Sequence, residues 1–245
     1  MTKFTVFFLS VFSLAHASAV LDRKENINGI VLESSKEGTL RNYHAHTNKN
    51  LPYGLKSVSK SILNFSDRCN NSHRDMRKFL DKKKDCKYHN ENLIEAFEVT
   101  DLKTPFTNNE NDQKHLIGKQ IYNRGHYGYY ELVEVKSQKN ESSQNQVVIT
   151  QRMLNDQEVK ELTAAKFPQD SSFKTSVVKY VLTETSPSST RIDYFSDAQT
   201  EHWVLNKELS IPQVFASLGK GIQELLKSVE QDSQIQNRDI ASKAE

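Results

Sequence analysis

Residues Ser210–Gln231 read SIPQVFASLGKGIQELLKSVEQ, and the fold turns on how this stretch is read. Its apolar residues, Ile211, Val214, Phe215, Leu218, Ile222, Leu225, Leu226 and Val229, recur at the three- and four-residue steps of one helical stripe. Ser210 and Gln213 have the spacing of a capping box, and Pro212 falls in the first turn, where its missing N–H costs nothing. The opposite face carries Lys220, Gln223, Glu224, Lys227 and Glu230. Such a stripe has to be covered, and the hundred residues before it have the period of strands. The expectation is a sheet folded around this helix. Gly219 and Gly221 interrupt the helix at about 1 kcal/mol each relative to alanine. That cost predicts either a close approach to the sheet or a soft point in the helix.

Working back from the helix, period-two alternation marks Arg191–Leu205, Phe173–Thr183, Gln146–Leu154, Tyr129–Lys136, Leu116–Tyr122 and Asn92–Leu102 as strands, and Leu40–Thr47 as an earlier one. A short helix capped by Asp156 is expected over Glu158–Ala164. Leu55, Val58, Ile62 and Phe65 step as an amphipathic helix, and Ser66–Lys82 continues with helical character, with Met76, Phe79 and Leu80 as its apolar face. Residues 20–39 read as a polar arm with a short strand at most over Ile30–Leu32, and 231–245 as a polar tail. Short turns between neighbouring strands imply an antiparallel meander. The fold class is therefore α+β: a curved antiparallel sheet of about six to seven strands wrapped on a long C-terminal helix, with two short helices near the N-terminal side.

Lys3, the apolar run Phe4–Leu14 and the small-residue pattern Ala17-Ser18-Ala19 have the form of a secretory signal over residues 1–19. Export leads to a periplasm or to the extracellular space. No later run is long enough for a transmembrane helix. The chain is polar, with 36% hydrophobic residues and a net charge of +2. No basic block points to nucleic acid. Cys69 and Cys86 are the only cysteines. In an exported chain such a pair reads as one disulfide, stabilising by roughly 3 kcal/mol in the chain-entropy picture. Asn64, Asn70 and Asn140 head glycosylation sequons.

The element order over residues 40–230 resembles the START-like helix-grip superfamily, whose members include lipid-transfer, polyketide cyclase-like and coenzyme Q-binding proteins. The helical pair over Leu55–Lys82, the strand Arg191–Leu205 and the Ile211-Pro212 entry to the closing helix carry the resemblance. The cysteine pair and the polar arm depart from the simplest family pattern. The resemblance implies a mostly apolar cavity between sheet and C-terminal helix, with a few inward polar groups setting specificity. Alternation then nominates Val133, Val178, Tyr180, Leu182, Tyr194 and His202 from the strands, and Phe215, Leu218 and Ile222 from the helix, as ligand-binding residues. The same inward face would exist in a filled core. The implied function is non-catalytic binding or carriage of an apolar small molecule or lipid. The alternative is a secreted interaction module with a solid core.

Motif chemistry is sparse. No G-x-x-x-x-G-K, G-x-G-x-x-G, G-x-S-x-G or H-E-x-x-H pattern occurs. No acid/base pair is nominated, and neither a cofactor nor a protein partner is indicated. His44 and His46 share one strand face and could form half a metal site, but no third ligand is set by spacing, so no metal is expected. Trp203 is expected as a core anchor. Arg124–Tyr130 (RGHYGYY) is expected as a turn into a strand.

Overall fold

Alternating sequences need a sheet, and in the computed structural model they form one. It describes residues 20–64, 68–70, 88–90, 93–122, 126–164 and 171–241. The residues of the expected signal, and Cys86, lie outside these ranges. In chain order the strands are β1 (Val20–Ile27), β2 (Ile30–Glu37), β3 (Leu40–Leu51), β4 (Arg68–Asn70), β5 (Tyr88–Asn90), β6 (Leu93–Glu98), β7 (Asp112–Tyr122), β8 (His126–Lys139), β9 (Asn145–Met153), β10 (Thr175–Ser186) and β11 (Ser189–Thr200). The helices are α1 (Leu55–Leu63), α2 (Asp156–Leu162) and α3 (Ile211–Ala241). Nine strands form a single antiparallel sheet in the order β1-β2-β3-β11-β10-β9-β8-β7-β6. The pairing of β11 with β3, Tyr194 opposite Thr47, joins the N-terminal strands to the rest of this open sheet.

Three expectations change. The sheet has nine strands, because residues 20–37 form a hairpin on its edge and not an arm. Asn28 and Gly29 both take positive φ (52° and 83°), the geometry of a type I′ hairpin turn. Ile30 and Leu32 are buried, while Lys24 and Glu33 pair across the outer strands. Charged residues on an edge strand hide its alternation and guard the edge from further pairing. Secondly, residues 231–241 continue α3 and are not a tail. Asp232 and Ser233 are buried there, and Ser233 Oγ donates to Ser61 Oγ of α1 at 3.1 Å. A seam of small polar residues gives no apolar stripe to read. Thirdly, only α1 of the expected helical pair is described; Arg68–Asn70 is a strand, paired in parallel with Tyr88–Asn90, and 71–87 fall outside the described residues.

The main core lies between the concave face of the sheet and the apolar stripe of α3. Ile211, Phe215, Ile222, Leu226 and Val229 are buried with Leu32, Tyr43, Val133, Ile149, Tyr180, Leu182, Ile192 and Tyr194. The Tyr43 and Phe215 rings meet edge-on at 6.3 Å. A second cluster (Val99, Leu116, Tyr130, Leu154 and Val159) lies on the other face of β7 and β8 beneath α2. Asn155 caps α2, one residue before the expected Asp156, in a full capping box with Glu158.

Candidate functional site

On the concave face, residues two apart along each strand point inward. Of the nine predicted lining residues, Val133, Tyr180, Leu182, Tyr194, Phe215 and Ile222 are buried in the main core, and Val178 and Leu218 pack against it. His202 is exposed, because β11 ends at Thr200 and the chain turns away before reaching it. Trp203 is 69% exposed, the opposite of a core anchor, for the same reason.

The inward face also carries polar groups that alternation alone did not nominate. Lys119 of β7 and Glu131 of β8 form an ion pair, each residue only 9% exposed. Lys119 Nζ stands 6.0 Å from the centre of the Tyr129 ring. Gln151 of β9 lies opposite Val133 and is 5% exposed, and its Nε2 has no hydrogen-bond partner. A buried amide donor left unmet costs about 1–3 kcal/mol, so it marks a place where an acceptor belongs. The curvature of the sheet brings the Glu131 charge within reach of Tyr194, on a strand three positions away. Burial pushes the Tyr194 hydroxyl up to about 12; a hydrogen bond to Ser196 opposes this, and the Glu131 charge adds to it. Glu131 alternates with Val133 and Val135 in YYELVEVK, an acidic residue on an otherwise apolar strand face. Lys119 and Gln151 gave no signal, since polar residues inside strands are ordinarily on the wet face.

An open cleft borders the short helix α1. A cleft of about 980 Å³ is bordered by α1, by the ends of β8 and β9, by the turn between β10 and β11 and by Asn237 of α3. None of the nine predicted lining residues borders it. Its apolar floor includes Leu55, Leu63, Val135 and Val147, and the last two also belong to or pack on the main core. Lys56, Lys60, Lys139, Glu110 and Glu184 stand around it. The cleft is therefore continuous with the concave face at Val135 and Val147. From Val147 to Gln151 along β9 is four residues, roughly 13 Å at the strand rise. The bulky stripe of α3 packs against the concave face, whereas α1 is short and offers serines (Ser57 and Ser61) to its neighbours.

His44 and His46 lie on the strand face opposite Tyr43 and Ala45, and His44 Nδ1 contacts Asp197. No cluster of three metal-ligating side chains occurs among the described residues. Asn64 Nδ2 donates to Asp232 Oδ2 at 3.4 Å in the seam between α1 and α3, a poor place for a glycan. Asn140 accepts from the Ser142 and Gln144 N–H groups in the turn between β8 and β9. No helix among the described residues is long and apolar enough to cross a membrane.

No family model matches the chain, and no curated protein matches it in sequence. Solved structures do resemble it. Human STARD10 is 13% identical over 94% of this chain and 80% of its own, with a TM-score of 0.49. The STAR-related lipid transfer protein from Xanthomonas axonopodis is 9% identical over 88% of this chain and 98% of its own, at 0.46. Human StAR-related lipid transfer protein 5 is 8% identical over 89% of this chain and 88% of its own, also at 0.46. Likenesses at this level are of overall arrangement only. The strand order, the β11–β3 pairing and the long helix held against the concave face give this chain a helix-grip arrangement of the α+β class.

Proposed function

We propose that this protein is an exported, non-catalytic carrier of an apolar, lipid-like ligand bearing a hydrogen-bond acceptor. The observation that carries the reading is the unmet Gln151 Nε2, buried beside the Lys119–Glu131 pair on an apolar face. A ligand acceptor there meets the donor, and its apolar remainder runs along Ile149 and Val133 toward the cleft floor at Val135 and Val147. The secretory pattern over residues 1–19 supports export. Native mass spectrometry of protein purified from its own host is expected to show a mass above the bare polypeptide. Gln151→Leu is expected to remove that extra mass. An unadorned mass, with Gln151→Leu simply raising Tm, sinks the carrier reading, because it means that the leucine relieved an unmet donor in a closed core.

A second reading is an interaction module with a solid core. It is favoured by the packing of six predicted lining residues into one cluster with α3.

A further inference from the structure

The connection from β11 to α3, residues 201–210, projects apolar side chains into solvent and holds them there. Trp203 is 69% exposed and Leu209 91%, with Val204 beside Trp203 also exposed. The loop is not loosely tethered. Tyr43 Oη donates to Leu205 O at 2.6 Å, and Arg41, fully buried, donates from Nε to Asn206 O at 3.1 Å. Asn206 Nδ2 donates to Thr39 O at 2.5 Å. Inside the loop, Asn206 N donates to His202 O and Lys207 N to Val204 O. Three anchors from β3 and the turn before it therefore fix a conformation that leaves the indole out. Exposing Trp and Leu costs the folded chain the burial they would otherwise gain, so a built loop that exposes both points to an apolar environment that receives them.

We propose that this loop docks the protein on the interface of an electrically neutral phospholipid bilayer. Trp203 carries Lys207 Nζ 4.7 Å from its ring centre. An indole with an ammonium at its face suits the headgroup level, where aromatic rings and the aliphatic stems of lysines settle together. Glu201, Lys207 and Glu208 leave the loop one negative charge, which Lys174 from before β10 neutralises by pairing with Glu201 at 3.1 Å. With no net charge the loop gains little from an anionic surface, which is why a neutral one is named. A second copy of the chain fits less well. Three side chains offer on the order of 400 Å² of apolar surface, about half of what each partner brings to a stable dimer.

Trp203 is the only tryptophan in the chain, so its emission reports on this loop alone. With phosphatidylcholine vesicles the purified protein is expected to shift its emission to the blue and to float with the lipid, unaffected by added salt. Leu209→Ser keeps the reporter and is expected to weaken flotation about tenfold. Trp203→Ala, followed by flotation, is expected to do at least as much. Both side chains are exposed, so the variants keep their fold. The proposal is overturned by unchanged emission and flotation, or by binding that needs anionic phosphatidylglycerol and disappears in salt. It is overturned equally by flotation that neither variant weakens, or by a blue shift that follows protein concentration without vesicles, which would identify a second copy as the occupant. The inference rests on the loop and not on the carrier reading: a protein that floats yet carries no ligand keeps it, and one that carries a ligand without floating loses it.

Discussion

Lys119 and Glu131 meet in a place where single charges are not tolerated. Removing one partner leaves the other buried and unpaired, so Lys119→Met alone is expected to destabilise by about 3–5 kcal/mol. Replacing both, as Lys119→Met with Glu131→Leu, is expected to come close to wild-type stability in urea unfolding. A double variant as unstable as the single one contradicts the pairing. Tyr194 makes the pH prediction. Its hydroxyl is neutral in the fold and is pushed up to about 12, above an unfolded value of about 10. A raised folded value means that the stabilisation is complete below pH 10 and is lost as pH climbs from 10 to 12. Burial also raises the Tyr43 hydroxyl, so the two act in the same direction. Tyr194→Phe is expected to flatten the alkaline fall in Tm, and ultraviolet titration is expected to show one fewer late-ionising phenol. An unchanged alkaline slope counts against it.

At the scale of elements, the glycines of α3 divide. A methyl group on Gly219 would meet Ile27 at 3.5 Å and Leu32 at 3.7 Å, ordinary contact with the edge hairpin, while one on Gly221 would meet nothing within 4 Å. Gly219 faces the β1–β2 hairpin and Gly221 faces solvent. Gly221→Ala is therefore expected to raise stability by about 1 kcal/mol, read as a higher midpoint in urea. Gly118 of β7 behaves differently, because an added methyl group would come within 2.6 Å of the Phe97 ring on the neighbouring strand. Gly118→Ala is expected to cost about 1–3 kcal/mol as that ring is displaced from the second core. A neutral Gly118→Ala would show that the ring moves freely. The elements themselves were largely legible. Alternation located seven of the nine sheet strands, and the 3.6-residue stripe located α3. The missed hairpin had a readable sign, Asn28-Gly29, which outweighs polar composition as evidence for a tight turn.

Across the whole molecule, the parallel pairing of β4 with β5 sets Cys69 opposite His89, three residues beyond Cys86 in the chain. Cys86 itself lies outside the described residues, and its disulfide with Cys69 stands as an expectation from the sequence. Peptide mapping without reductant is expected to recover the two cysteines in one linked species; two free thiols refute it. The periodic signals determined the α+β class, the closing helix and the inward face, because period and amphipathicity are local properties of a chain. The sequence did not reveal that a cleft opens beside α1, or that the buried Gln151 Nε2 has no partner. Those depend on which side chains converge from distant strands once the sheet curves. Trp203 shows the same limit: its surroundings are set by where β11 stops and by the hold of Arg41 and Tyr43 on the loop, contacts more than 150 residues apart in sequence. Local pattern can say that a residue is apolar, but only tertiary contacts decide whether anything covers it.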